Sequence, residues 1–220
     1  MIKCCVFDLD GTLLYTLKTI THYVNLVLSR HGIKNITEEQ CRLFIGNGAR
    51  LLISRSLHAA GIDDEKKTEQ ILGEYNAEYN SDTLYLTEPY EGIPELLSAL
   101  RARGIKTAVL SNKPDKTTNI VVREIFADSF DIIRGATEGV PLKPSPDSLI
   151  ELISNLRLKA EEIMYIGDTG VDMKTGRAAG VARTIGVSWG YREREELLRD
   201  GADVIADDPR EILSEVVRIG

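Results

Sequence analysis

An α/β fold, a doubly wound parallel sheet carrying an inserted all-helical segment, is what this sequence predicts, and three observations predict it. Short apolar, β-rich runs recur at 3–7, 106–110, 132–133, 163–166 and 184–187, with a weaker one at 204–205. Helical periodicity fills most of the gaps: 92–103 has apolar residues at 93, 96, 97 and 100, and 147–156 has them at 149, 150, 152, 153 and 156. Strands alternating with helices in this way imply βαβ units and a parallel sheet covered on both faces. The third observation is an interruption. From 16 to 83 helical patterns follow one another with no convincing strand.

Within that insert Ile20, Tyr23, Val24, Val27 and Leu28 form one stripe, and 49–60 and 65–79 supply two further helices. Thr37 with Gln40 three residues on is the signature of a capping box opening another. The expected organisation is therefore an α/β core made of 1–15 and 84–220, with a helical cap at 16–83. In open α/β sheets ligands bind at the carboxyl ends of strands near a topological switch point. A segment leaving from the end of the first strand is suited to cover such a site.

Bulk properties narrow the function. The 220 residues are 43% hydrophobic and 28% charged, with a net charge of −7, which argues against nucleic acid or an anionic membrane as partner. An anionic small molecule stays possible, because one metal ion and one lysine reverse the sign inside a cleft. Three cysteines, two of them adjacent, make no disulfide framework, so they read as small buried residues of a reduced, cytoplasmic protein. Acid appears at Asp8 before any long apolar stretch, and no window approaches a membrane span.

The chemistry concentrates at predicted strand ends. Residues 4–14 read CCVFDLDGTLL, so an apolar strand runs directly into Asp8 and Asp10. Two carboxylates crowded at one strand end call for a hard divalent cation. Gly11 permits a tight turn in which backbone N–H groups can approach an anion. Residues 106–112 read KTAVLSN, a strand ending in Ser111 and Asn112; 142–146 read LKPSP, with Lys143 before a helix; and 163–172 read IMYIGDTGVD, a strand ending at Asp168 with Asp172 four residues later.

Together these four segments resemble the haloacid dehalogenase superfamily, whose phosphatases carry D-x-D-G-T after the first strand. The resemblance spans the chain, with 16–83 in the place of the family's cap. It implies Asp8 as nucleophile, Asp10 as general acid and base, and Ser111 and Lys143 as phosphate-binding catalytic groups. It further implies Mg²⁺ held by Asp8, the Asp10 carbonyl, Asp168 and Asp172, with Gly11, Thr12 and Asn112 at the substrate. Residues 44–50 (FIGNGAR), 111–114 (SNKP), 167–181 and 189–192 (WGYR) are similar to the phosphoglycolate phosphatase branch. That branch continues with Asp-Ser where this chain has Tyr15-Thr16, so phosphoglycolate does not follow automatically.

The expected activity is Mg²⁺-dependent hydrolysis of a small phosphorylated metabolite, such as a phosphoglycolate-like monoester, by a monomer or homodimer. An inorganic pyrophosphatase and a β-phosphoglucomutase-type mutase use the same residues and are the alternatives. A catalytically idle binding protein would have lost one of the four segments. Asn47 and Arg50, opening a helix after a Gly-flanked turn, are the specificity candidates. His22, His31 and His58 lack metal-ligand spacing and read as structural.

Overall fold

A computed structural model of the protein describes residues 1–219. They divide into two compact units, Met1–Tyr15 with Pro89–Gly220, and Thr16–Glu88.

The first unit is built on six strands: β1 (Cys4–Phe7), β4 (Lys106–Pro114), β5 (Ile132–Ala136), β6 (Ile163–Gly167), β7 (Arg183–Val187) and β8 (Val204–Ala206). They form one sheet in the order β5-β4-β1-β6-β7-β8, and the pairings are parallel. The expected α/β doubly wound fold is the fold found. Helices α5 (Ile93–Ala102), α6 (Asp115–Phe126), α7 (Asp147–Asn155), α8 (Gly170–Ala179), α9 (Arg194–Arg199) and α10 (Pro209–Ile219) accompany the strands, while β2 (Leu14–Tyr15) and β3 (Glu88–Pro89) make a separate two-stranded ladder.

Side chains of β1 alternate between two cores, as a period of two requires. Cys5 and Phe7 join Val109, Ile166 and Ile185 against α5, α6 and α10. Cys4 and Val6 join Leu110, Ile163 and Tyr165 against α7. Close packing of α8 is enforced by Gly176, where a Cβ would press on Thr184 and the Tyr165 ring.

Strand order reverses at β1. The chain steps outward through β4 and β5 on one side, then through β6, β7 and β8 on the other. The carboxyl end of β1 is therefore the switch point, the place where open α/β sheets present a crevice. The strand β4 runs four residues beyond its expected end, because after an irregularity past Leu110 it re-pairs at Pro114 with Ala136 of β5. That extension carries Ser111, Asn112 and Lys113.

The second unit contains α1 (Leu17–Arg30), α2 (Glu38–Phe44), α3 (Ala49–Ala59) and α4 (Glu65–Ser81). The capping box is present: Gln40 N–H donates to Thr37 Oγ1 at 3.1 Å, and Thr37 N–H to Gln40 Oε1 at 2.9 Å. The chain leaves this unit at Glu88, five residues later than expected. Side chains of α1 hold the intervening stretch: Tyr23 Oη donates to the Asp82 carbonyl at 2.9 Å and Thr19 Oγ1 to that of Tyr85 at 2.6 Å. Among the described residues no helix is long and apolar enough to cross a membrane. All three cysteines are free and buried.

Candidate active site

Two of the site's acidic residues enter from the ends of apolar strands, where the pleated ladder stops, and a third, Asp172, from the first turn of α8. Asp8 follows β1 and Asp168 follows β6; the two strands pair in register through Phe7 and Ile166. Carboxylate oxygens of Asp8, Asp168 and Asp172 lie within 4.8 Å of one another, all three residues buried.

Lys143 binds this cluster together. Its Nζ, on a residue only 4% exposed, lies 2.8 Å from Asp8 Oδ1 and 2.7 Å from Asp172 Oδ1, and donates to the Leu110 carbonyl at 3.1 Å. Burial pulls its pKa down, but Asp172 and Asp8 hold it well above the ordinary lysine value. Asp8 Oδ1 also accepts the Leu9 N–H at 2.7 Å, so two donors on one oxygen fix the carboxylate's rotation. Burial, reinforced by the charge of Asp172, pushes Asp8 up to about 7 against the pull of Lys143. Asp168 is raised well above its usual range by burial and then by Asp8 and Asp172.

Asp168 is held in place by Thr12 Oγ1 at 3.0 Å and the Tyr191 N–H at 2.9 Å. Two glycines make room for it. A Cβ on Gly11, whose φ is +90°, would collide with the Asp168 carboxylate and the Tyr191 ring, and one on Gly190 would collide with Asp168. Asp172 has a different task. Its Oδ2 accepts from Thr169 N–H and Oγ1 at 3.1 and 2.7 Å, a capping box that opens α8, while Oδ1 takes Lys143. Both its oxygens are thus engaged, which suits orienting the cluster more than direct ligation.

Several of the expected substrate-binding groups have partners within the protein. The N–H groups of Gly11 and Thr12 close the turn onto the Leu14 and Leu9 carbonyls at 2.8 and 3.3 Å. Asn112 spends its amide on Lys143, donating to its carbonyl at 3.0 Å and accepting its N–H at 2.9 Å. It positions that lysine. Arg50 lies on the exposed surface of the helical unit, paired with Glu65 and, at 2.8 Å, with Glu69, so a substrate carboxylate would have to compete with two partners. Asn47, two residues into the Gly46–Gly48 turn before α3, is half-buried.

One residue was not singled out from the sequence. Lys113 Nζ contacts both oxygens of Asp10, at 2.9 and 3.1 Å. Its sequence signal is its place in the SNKP segment, directly after Ser111-Asn112.

Three buried carboxylates with a single ammonium between them leave negative charge that a hard cation would neutralise. This donor set of oxygens fits Mg²⁺. The linkage has a definite sign. A carboxyl raised from its unfolded value near 4 to about 7 contributes stability below pH 4 and loses it as pH rises through 7. The melting temperature of the protein in chelator should fall from pH 5 to pH 8. Added Mg²⁺ should raise it more at pH 8 than at pH 5; an equal rise at both would contradict the assignment.

Comparison with known proteins agrees with this geometry. A family model described as haloacid dehalogenase-like hydrolase matches residues 5–187. The chain is similar to a phosphoglycolate phosphatase of Rhodospirillum rubrum, 33% identical with 94% of this chain and 88% of that one covered. It is similar to the N-acetylmuramic acid 6-phosphate phosphatase of Pseudomonas aeruginosa, 31% identical with 96% and 93% covered. A solved structure provisionally named phosphoglycolate phosphatase, from Lactobacillus delbrueckii subsp. bulgaricus, superposes with a TM-score of 0.92 at 29% identity over 97% of this chain and 98% of that one.

Proposed function

The chain belongs to the haloacid dehalogenase-like hydrolases, and from that premise we propose that it is a Mg²⁺-dependent phosphatase of small phosphomonoesters working through a phospho-aspartate on Asp8. The observation that carries this reading is Asp8 itself: buried at a strand end, fixed by two donors, and beside Lys143.

In the first half-reaction an Asp8 oxygen attacks phosphorus as the ester P–O bond breaks, and Asp10 gives its proton to the departing oxygen. Asp10 then takes a proton from water, whose oxygen attacks phosphorus and releases Asp8 and inorganic phosphate. Lys143 and Ser111 would hold the equatorial phosphoryl oxygens, where charge gathers in the transition state. Asp8, Asp168 and the Asp10 carbonyl would hold Mg²⁺, with Asp172 orienting them. Bound there, the ion supplies charge neutralisation between the carboxylates and an incoming phosphate.

The relatives' names support a phosphorylated carboxylic acid as substrate, since glycolate and muramic acid are both acids. Phosphoglycolate, the smaller of the two, is the substrate we assign. A phosphate-release panel containing both esters, pyrophosphate and hexose phosphates, compared by kcat/KM, tests it; preference for pyrophosphate, or a need for a bisphosphorylated activator, would favour the pyrophosphatase or mutase reading.

The acid–base role makes its own prediction. With a nitrophenyl phosphate the first half-reaction needs little proton assistance, so Asp10→Ala should accumulate phospho-enzyme while turnover falls about a hundredfold or more. Acid-quench labelling reads it out. Equal slowing for good and poor leaving groups, with no trapped intermediate, would refute the assignment.

A further inference from the structure

The lysine that holds Asp10 has a property that a purely structural partner would not need. Lys113 and Asp10 have side chains only 8% and 15% exposed, and one ammonium spans both carboxylate oxygens. The mounting of Lys113 is rigid. Its N–H donates to Ser111 Oγ at 3.2 Å, its carbonyl accepts from Thr118 Oγ1 at 3.1 Å, and Gly135 of β5 leaves no room for a Cβ against that carbonyl and the Asp115 backbone. Movement is left to the flexible four-carbon stem.

An ammonium chelating both oxygens occupies the edge that Asp10 must turn toward a departing ester oxygen. Lys113 therefore has to release at least one of them. Stripping a buried ammonium of its carboxylate is costly unless a second anion receives it. The phosphoryl oxygens are served by Lys143 on the Asp8 side, so the receiving anion belongs to the leaving group.

We propose that Lys113 is a specificity-determining residue whose ammonium passes from Asp10 to a carboxylate of the substrate's leaving group, one methylene away from the ester oxygen. The inference rests on the phosphatase reading above and deepens it. Asp10 lies within a hydrogen bond of the ester oxygen when it acts, and Lys113 within a hydrogen bond of Asp10. Three successive hydrogen bonds, from the ester oxygen to Asp10, from Asp10 to Lys113 and from Lys113 to its new partner, keep that partner within roughly 9 Å of the ester oxygen, and the short O–CH₂–COO⁻ unit of phosphoglycolate fits inside that span. The carboxylate both binds and frees Asp10, so recognition and activation of the acid are one event.

The test compares 2-phosphoglycolate with ethyl phosphate, its analogue without the carboxylate, on the wild type, Lys113→Gln and Lys113→Arg. Lys113→Gln should lose kcat/KM at least about 30-fold more on 2-phosphoglycolate than on ethyl phosphate, the scale of one charge-assisted hydrogen bond. Lys113→Arg should recover most of that discrimination. Lys113→Met keeps the stem and takes the place of Lys113→Gln if the latter does not fold. Equal losses on the two esters would overturn the proposal and leave Lys113 as a holder of Asp10. A wild type that turns over ethyl phosphate as well as 2-phosphoglycolate would overturn it while the phosphatase reading stands. Turnover of neither ester would remove the phosphatase reading, and the proposal with it.

Discussion

Asp8→Asn is expected to lower kcat by a factor on the order of 10⁴ or more while the protein stays folded, because an amide cannot attack phosphorus. The site makes the test clean. Lys143 keeps its contacts with Asp172 and the Leu110 carbonyl in the variant, so no buried ammonium is orphaned. The replacement amide also carries no charge to be buried, which removes the cause that raises Asp8. Phosphate release and circular dichroism together decide it. Turnover within about tenfold of the wild type would end the nucleophile assignment.

Lys143→Met is expected to damage both activity and stability. The ammonium lies between Asp8 and Asp172, both buried. Removing it leaves two carboxylates facing each other out of water, which costs about 3–5 kcal/mol when a buried pair is broken from one side. The sign of the pH dependence identifies the cause. Without the lysine, protonating a carboxyl relieves the repulsion, so the loss in melting temperature should be large at pH 8 and smaller at pH 5. Mg²⁺ should recover part of it at pH 8. An equal loss at both pH values would mean that the substitution disturbs packing and not charge. Phosphate release should fall at least about a hundredfold at either pH.

How much of this was legible in the sequence depends on whether the information was local. The strand ends at Asp8 and Asp168 were readable because apolar runs stop there abruptly, and fully buried parallel strands leave that signature. The capping box at Thr37 was equally local. Helix α6 was not named, and its composition explains why: Thr117, Thr118, Ile120, Val121, Val122 and Ile125 are β-branched and favour strand locally. Burial of Thr117, Val121, Val122 and Phe126 on one face decides for helix. Lys113 stayed hidden for a stronger reason. Its partner is 103 residues away, and only the β1–β4 register brings them together. The family resemblance put Asn112 at the substrate; its reciprocal bonds to Lys143 depend on a loop that no spacing rule places. The late return of the chain at Glu88 came from side chains of α1 reaching residues 82–87, again beyond local pattern.

The placing of β1 at the middle of the sheet bears on how the protein comes into being. This strand belongs to the first fifteen residues, yet its partners β4 and β6 lie about a hundred residues and more along the chain. During synthesis the Thr16–Glu88 unit can gather its four helices from neighbours in sequence, while residues 1–15 must wait for most of the chain. Asp8 is thus made before the partners of its strand and placed only after them. A nascent chain halted before β4 holds Asp8 at the end of an unpaired, wholly apolar strand, the kind of edge that chaperones cover and aggregates recruit.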